Sequence, residues 1–124
     1  MGNLQQFEKQ QYLNIETFRK NGAGEKTPVW FVQDGNLLYV RTIDNSGKVK
    51  RIRNNSQVLI APFKMNGKVV GDWVQATAIE KRDEAIAQKV DKLLAKKYGL
   101  MKKMFTFTST IQKKENTILE IILN

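Results

Sequence analysis

Residues 42–53, Thr-Ile-Asp-Asn-Ser-Gly-Lys-Val-Lys-Arg-Ile-Arg, are the stretch of this chain that decides its fold. A run typical of a β-strand, Leu-Leu-Tyr-Val-Arg-Thr, ends at Thr42, and polar turn residues follow it. Ser46 then stands where the N-cap of a helix is expected, because a serine side chain can accept a hydrogen bond from the first helical N–H groups. The stretch therefore predicts a strand, a turn and a short helix over residues 46–54.

The start of that helix is a candidate binding site for a phosphate. A helix N-terminus presents unpaired backbone N–H groups and the positive end of the helix dipole, and both attract anions. Gly47 in the first turn allows a close approach, and Lys48 adds a positive charge. Lys48 and Arg51 are three residues apart, so both lie on one face of the helix. The alternative is a solvated basic helix on a basic protein, and this stretch by itself leaves both interpretations open.

Strand and turn signals precede the stretch. Tyr12–Phe18 alternates apolar and polar residues, as a half-buried strand does. Residues 27–32 are a denser apolar run, which predicts a strand buried on both faces for part of its length, with Pro28 near its start. The Asp34-Gly35 pair predicts a hairpin, because it supplies positive φ angles between two β-rich runs.

The second half of the chain mixes further strands with helical spacing. Strands are predicted at residues 57–63, at 69–80 after an Asn-Gly turn at 66–67 and with a kink at Gly71, and at 117–123. Helices are predicted at 82–98, ending at Gly99, and at 100–112. The two Asx-Gly hairpins and the short connections favour a closed or partly closed barrel over a parallel sheet.

Composition describes an ordinary globular protein, organised as a single domain over residues 1–124. The chain is 41% hydrophobic and 27% charged, and no apolar run approaches the ~20 residues of a membrane span. Residues 1–15 lack the pattern of a signal peptide, so we expect a cytoplasmic protein.

Two residue types are missing, which excludes several kinds of active site. The chain has no cysteine and no histidine, so it has no thiol nucleophile, no Ser-His-Asp triad and no zinc site built on thiolate or imidazole ligands. The scattered carboxylates show no EF-hand spacing. If the chain performs chemistry, a bound cofactor is the expected agent.

The net charge of +9 predicts an anionic partner: nucleic acid, anionic lipid, an acidic protein or a phosphorylated cofactor. Basic residues concentrate at 48–53, 96–103 and 113–114. Net charge alone does not choose among these partners.

The ordered set of motifs resembles a known family. Thr-Pro-Val-Trp-Phe at 27–31, the Asp-Gly hairpin, Leu-Tyr-Val-Arg-Thr at 38–42 and Ser-Gly-Lys-Val-Lys-Arg-Ile-Arg-Asn-Asn at 46–55 follow in register. Together they resemble the pyridoxamine phosphate oxidase-like split-barrel superfamily, and within it the small FMN- or F-420-dependent oxidoreductases. The resemblance implies a mainly β fold with added helices, an FMN-binding split β-barrel of about six antiparallel strands. It also implies a homodimer with cofactor sites at the subunit interface.

The resemblance further implies which residues hold the cofactor, FMN or coenzyme F-420. The ring would lie along Pro28, Val29 and Trp30, with Arg41 and Thr42 near the ring or the ribityl chain. The phosphate would be held by Ser46, Gly47 and Lys48, with Lys50 and Arg51 as further contacts to the phosphate or to an acidic tail, and Trp73 would face the cofactor of the partner subunit.

The chain departs from the oxidase itself at several points. Thr27 stands where the oxidase has a basic residue, Gly47 stands where it has an arginine, and its C-terminal substrate motif of arginine and histidine has no counterpart. Oxidation of pyridoxamine phosphate is therefore not expected, although the fold is. Relatives that bind haem are a poorer match, because this chain has no histidine.

Three functions follow for testing. The first is an FMN- or F-420-dependent oxidoreductase that transfers hydride between the bound cofactor and an unknown small molecule, with no catalytic side chain required. The second is a basic small barrel that binds nucleic acid, which is disfavoured because most of the aromatic residues lie in apolar strand runs. The third is a protein that stores or carries the cofactor without turnover. No membrane partner is expected.

Overall fold

The computed structural model describes residues 2–8, 10–44, 46–64, 68–98 and 116–124. Within these ranges every strand ladder is antiparallel, and three helices accompany the strands. The elements are α1 (Gly2–Gln5), β1 (Tyr12–Phe18), β2 (Gly24–Trp30), β3 (Val32–Asp34), β4 (Leu37–Ile43), α2 (Gly47–Asn54), β5 (Gln57–Phe63), β6 (Val74–Lys81), α3 (Glu84–Tyr98) and β7 (Asn116–Leu123). The predicted mainly β fold with added helices is confirmed, with seven described strands where about six were expected.

The order of the strands curls the sheet into a barrel. The sheet runs β2-β1-β5-β6-β7-β4-β3. Its two edge strands, β2 and β3, are consecutive in the chain, and only Phe31 separates them. Because one extended residue spans about 3.3–3.6 Å, the two edges of the sheet have to meet at this point. The barrel is therefore closed at Phe31.

The barrel opens on the other side of Phe31. β3 pairs with only the first three residues of β4, where Val32 lies opposite Tyr39. Continuing that register would place Val29 opposite Thr42, but within the described residues β2 pairs with β1 alone. We call the gap between residues 27–30 of β2 and residues 41–43 of β4 the split.

The core fills the barrel and is capped by α2. Alternate residues of β1, β4, β5, β6 and β7 point inward, as the period of a strand requires. They include Leu13, Ile15, Leu38, Val40, Val58, Ile60, Ala76, Ala78, Leu119 and Ile121, each at most 2% exposed. Val49 and Ile52 of α2 join the same cluster, as the sequence predicted for the inward side of this helix.

Helix α3 covers part of the outer face of the barrel. Asp83 accepts hydrogen bonds from the N–H groups of the first turn and so caps the helix. Val90 and Tyr98 pack on Tyr39, Val32 and Ile118, which face outward from β4, β3 and β7. Tyr98 is the last described residue of this helix, and its hydroxyl donates to the carbonyls of Gln11 and Phe31. The end of α3 is thereby fastened to the point where the barrel closes.

Two predicted strands differ from those observed. The run at 27–32 is buried on both faces only at its end, where Phe31 is 1% and Val32 is 2% exposed. Residues 27–30 belong to β2, an edge strand whose residues are exposed or half-buried. Pro28 lies within β2 and is tolerated there because an edge strand leaves one row of backbone groups without a ladder.

The strand predicted at 69–80 begins only at Val74. A β-carbon on Gly71 would lie 2.4 Å from Gln6 Oε1 and 2.6 Å from Pro62 Cγ, so the chain passes too close to them for a side chain at this position. The Gln6 amide exchanges two hydrogen bonds with the backbone of Asp72, each of 2.9 Å. Before it, Val69 forms an isolated bridge with Phe63, and the Val70 N–H donates to the Pro62 carbonyl at 2.9 Å. The Asn-Gly turn at 66–67, Gly99 and the helix predicted at 100–112 lie outside the described residues.

Candidate functional site

The split brings two of the predicted groups of residues to one place. Val29 and Trp30 lie on its β2 side, and Thr42 lies on its β4 side. If the register between β3 and β4 continued, Val29 would lie opposite Thr42. Helix α2 begins at Gly47, five residues after Thr42, so its N-terminus follows the β4 side of the split. Residues 28–30 lie across the split from Thr42, and the chain continues from Thr42 to 46–48.

No described side chain caps the N-terminus of α2. Ser46 is the N-cap residue, with φ −68° and ψ 156°, but its side chain makes no capping hydrogen bond. Its Oγ is buried and has no partner among the described residues. The first turn contains no acidic residue. The N–H groups of Gly47, Lys48 and Val49 therefore remain available to an outside acceptor.

Lys48 adds an uncompensated charge beside these N–H groups. Its side chain is partly buried, and no described carboxylate lies within salt-bridge distance of it. Burial lowers the pKa of Lys48, and the neighbouring Arg51 lowers it further. Both effects raise the free energy of the charged form, and an anion bound there would relieve both.

Arg51 folds back over the start of its own helix. Its Nε donates to Thr17 Oγ1 of β1 at 2.6 Å. A β-carbon on Gly47 would lie 2.8 Å from Arg51 Nη1, so the guanidinium occupies the space that any other residue at 47 would need. Arg51 also has no described carboxylate within salt-bridge distance. We call the three free N–H groups with the Lys48 and Arg51 side chains the anion site.

Arg41 and Thr42 point to opposite faces of β4, as neighbouring residues in a strand do. Thr42 is 7% exposed and lies opposite Thr117 of β7. Arg41 points outward and forms an ion pair with Asp91 of α3, and burial lowers its pKa. The side chain of Arg41 is therefore not brought to the anion site.

The predicted ring strand is partly engaged by the protein itself. Trp30 stacks on Tyr98, with ring centroids 5.0 Å apart and planes 20° apart. Tyr12 lies against Trp30 at 6.3 Å in a tilted arrangement. Val29 packs on the core, and Pro28 is exposed at the sheet edge. Val29 and Pro28 thus border the split, while one face of Trp30 is already covered.

Lys50 and Trp73 lie apart from these residues. Lys50 is exposed and lies on another face of α2 from Arg51. Trp73 is half-buried before β6, with Lys26 Nζ 5.2 Å from its ring centroid. Their assignments as contacts of the cofactor, like those of the whole set, stay predictions.

Three side chains next to the site were missed by the sequence reasoning. Thr17 positions Arg51 by accepting its hydrogen bond. The sequence signal for Thr17 was a hydroxyl at the next inward position of β1 after Leu13 and Ile15. Asp44 is buried two residues before the N-cap of α2. The sequence signal for Asp44 was a carboxylate close to several basic residues. Tyr98 supports Trp30 from a distant helix, and no local signal announces that contact.

The described residues contain no group of three or more acidic side chains placed to hold a metal ion. No helix in the same ranges is long and apolar enough to cross a membrane. The chemistry that this site supports is the binding of an anionic group at the end of an apolar gap.

A family model covers nearly the whole chain. The family model "Uncharacterized protein conserved in bacteria (DUF2255)" matches residues 3–121. No curated protein matches the chain significantly.

Solved structures share the fold at low sequence identity. A Listeria innocua protein assigned as a pyridoxamine 5'-phosphate oxidase is 15% identical, with a TM-score of 0.69 over 98% of this chain and 90% of that one. HutZ, the heme storage protein of Vibrio cholerae, is 14% identical, with a TM-score of 0.75 over 98% and 87%. An F420 reductase is 15% identical, with a TM-score of 0.60 over 100% and 94%. The fold is therefore that of the pyridoxamine phosphate oxidase-like split barrels.

Proposed function

Since the chain belongs to the DUF2255 family and has the split-barrel fold, we propose that it is an oxidoreductase that binds FMN or coenzyme F-420. The cofactor's phosphate would bind at the anion site, and its ring would enter the split. The cofactor, when bound, supplies the hydride chemistry that no side chain of this chain can supply.

The observation that carries this proposal is the uncompensated positive charge at the start of α2. Two cationic side chains, three free N–H groups and the positive end of a helix dipole meet there without a described carboxylate. A phosphate dianion satisfies the whole set, and charge-assisted hydrogen bonds are roughly twice as strong as neutral ones. The buried, unpartnered Ser46 hydroxyl supplies one further donor.

The residues along the split would orient and shield the ring. Val29 would offer an apolar wall to the ring, and the Thr42 hydroxyl would lie near the ring or the ribityl chain. Tyr98 fixes Trp30 by stacking, so the β2 side of the split is held before a ligand enters. A gap bounded by these groups excludes water from one side of the ring, which suits hydride transfer better than exposure to solvent.

The rival functions receive less support. HutZ is named as a heme storage protein, but this chain has no histidine to ligate a haem iron. Nucleic-acid binding would need exposed aromatic rings beside basic residues. Among the described aromatics, Phe7, Phe31, Tyr39 and Tyr98 are buried. A storage role for the same cofactor remains the alternative, and turnover assays separate it from an enzyme.

We also propose that two copies of the chain form a dimer that completes the site. Ile79 and Ile122 are each 46% exposed on the outer face of β6 and β7. The register places Ile122 opposite Thr77 and Ile79 opposite Glu120, so the two isoleucines are diagonal neighbours. A second copy covering this face would remove both from water.

The test is a comparison of two lysines, one at the anion site and one on another helix. Lys48→Ala should weaken FMN binding by roughly 10-fold or more, because it removes a charged partner of the phosphate. Lys92→Ala makes the same change in net charge at an exposed position of α3 and should leave affinity within about 2-fold. Both variants are titrated with FMN by fluorescence quenching, and F-420 is titrated in parallel.

Riboflavin, which lacks the phosphate, serves as the matched ligand. Its binding to the wild type should be weaker than that of FMN and should not respond to Lys48→Ala. Equal losses for the two lysine variants, or equal losses for FMN and riboflavin, would contradict the anion site. Failure of the wild type to bind either cofactor at micromolar concentration would overturn the proposed function.

A further inference from the structure

A network of four charged side chains lies next to the anion site and contains none of its members. Asp44 is 7% exposed and accepts hydrogen bonds from Arg53 and Arg82, each of 2.6 Å. Glu80 accepts from Arg53 Nε at 2.8 Å and from Arg53 Nη2 at 2.9 Å. Arg82 also lies 3.0 Å from Glu80. Two carboxylates and two guanidinium groups thus neutralise one another.

The network joins three parts of the chain that determine where α2 points. Asp44 lies two residues before the N-cap of α2, and Arg53 lies in the last turn of this helix. Glu80 lies in β6, and Arg82 follows its last residue, Lys81. Through Arg53, the carboxylates of Asp44 and Glu80 thus tie the last turn of α2 to the segment before the helix and to β6.

The network also separates the basic residues of α2 into two sets. Arg53 is bound by two carboxylates, whereas Lys48 and Arg51 have none among the described residues. Arg53 is thereby withheld from a ligand, and the positive charge that is left lies at the N-terminal end of the helix. Arg53 therefore holds the helix in place and does not bind the phosphate.

From these contacts we propose that Asp44 and Glu80 are positioning residues for the anion site, which they aim and preorganise through Arg53 and Arg82. This inference rests on the proposed function, because it assumes that the anion site binds the cofactor's phosphate. Preorganisation raises affinity by reducing the ordering that a ligand has to impose.

The direction of the change in FMN affinity tests the proposal. Asp44→Asn removes a negative charge near a site for an anion, so a purely electrostatic role predicts tighter binding of FMN. A positioning role predicts the opposite, a loss of about 10-fold in FMN affinity, because Arg53 and Arg82 lose their common acceptor. Affinity for riboflavin should be unchanged, because riboflavin lacks the phosphate that the anion site would hold.

Two further variants keep the test decisive. Glu80→Gln, at the less buried end of the network, should also weaken FMN binding. It replaces Asp44→Asn if that variant does not fold. Glu25→Gln, which breaks the exposed ion pair between Arg19 and Glu25, is the control and should bind FMN as the wild type does. Circular dichroism and thermal melts establish that each variant is folded.

The outcomes distinguish the two proposals. Weaker FMN binding by a folded Asp44→Asn or Glu80→Gln variant, with riboflavin unaffected, supports the inference. Tighter or unchanged FMN binding overturns the inference and leaves the proposed function intact. A wild type that binds no FMN and no F-420 overturns the proposed function itself.

Discussion

Replacement of Gly47 by alanine should raise the stability of the protein and lower its affinity for the cofactor. Among the described glycines only Gly22 and Gly35 have a positive φ, so the backbone at Gly47 is compatible with alanine. Alanine in place of a compatible helical glycine stabilises by about 0.4–1 kcal/mol, because the unfolded chain loses conformational freedom. For a domain of this size that corresponds to a rise in Tm of roughly 2–4 °C.

The same substitution should weaken binding at the anion site. The new β-carbon would lie 2.8 Å from Arg51 Nη1, which is closer than a β-carbon packs against another atom. The guanidinium is the far end of a flexible side chain, so it moves and the fold is kept. Displacing it loses one charge-assisted contact to the phosphate, worth on the order of 1.5–3 kcal/mol when fully lost. We therefore expect FMN affinity to fall about 10-fold or more.

A double-mutant cycle with Arg51→Gln isolates this mechanism. In the Arg51→Gln background there is no guanidinium to displace, so Gly47→Ala should raise Tm without a further loss of FMN affinity. Affinity is measured by FMN fluorescence quenching and stability by thermal melts of the same samples. The reasoning fails if Gly47→Ala reduces FMN affinity equally in both backgrounds, or if it leaves affinity unchanged in the wild type.

Two further predictions concern parts of the molecule outside the anion site. Lys97 is exposed as a residue, but its ammonium group is desolvated against Phe31, donates to the Phe31 carbonyl at 2.7 Å and has a pKa lowered to about 8. In the unfolded chain the pKa of lysine is about 10.4, so between pH 8 and 10 the unfolded chain binds more protons than the folded one. The free energy of unfolding of the wild type in urea should therefore rise from pH 8 to 10 relative to that of Lys97→Met. Parallel pH profiles for the two proteins would refute this. Ile79→Glu should shift the protein from dimer to monomer in sedimentation while the monomer stays folded, and an unchanged sedimentation coefficient would rule out the β6–β7 face as the dimer interface.

The local pattern of the sequence was sufficient for most of the individual elements. β1, β5, α2 and β7 appear close to the predicted positions, because alternation, turn residues and helical spacing act over a few neighbouring residues. The Asp34-Gly35 hairpin appears as predicted, with Gly35 at φ 61°. Two segments depend on distant partners. Residues 27–30 lie in the edge strand β2, and only Phe31 and Val32 show the predicted burial on both faces. Residues 69–73 do not extend β6, because Val69 forms an isolated bridge with Phe63 and the Asp72 backbone pairs with Gln6.

The candidate site divides in the same way. The sequence by itself determined that a basic helix follows a strand, that Gly47 stands at its start, and that no histidine or cysteine is present for catalysis. Those are properties of neighbouring residues and of composition. Only the tertiary structure decided which cations are free. Arg53 and Lys48 look equivalent along the helix, yet Arg53 meets Glu80 from β6 and Lys48 meets no described acid. Charge compensation depends on which strands end beside the helix, and the order of the strands around the barrel decides that.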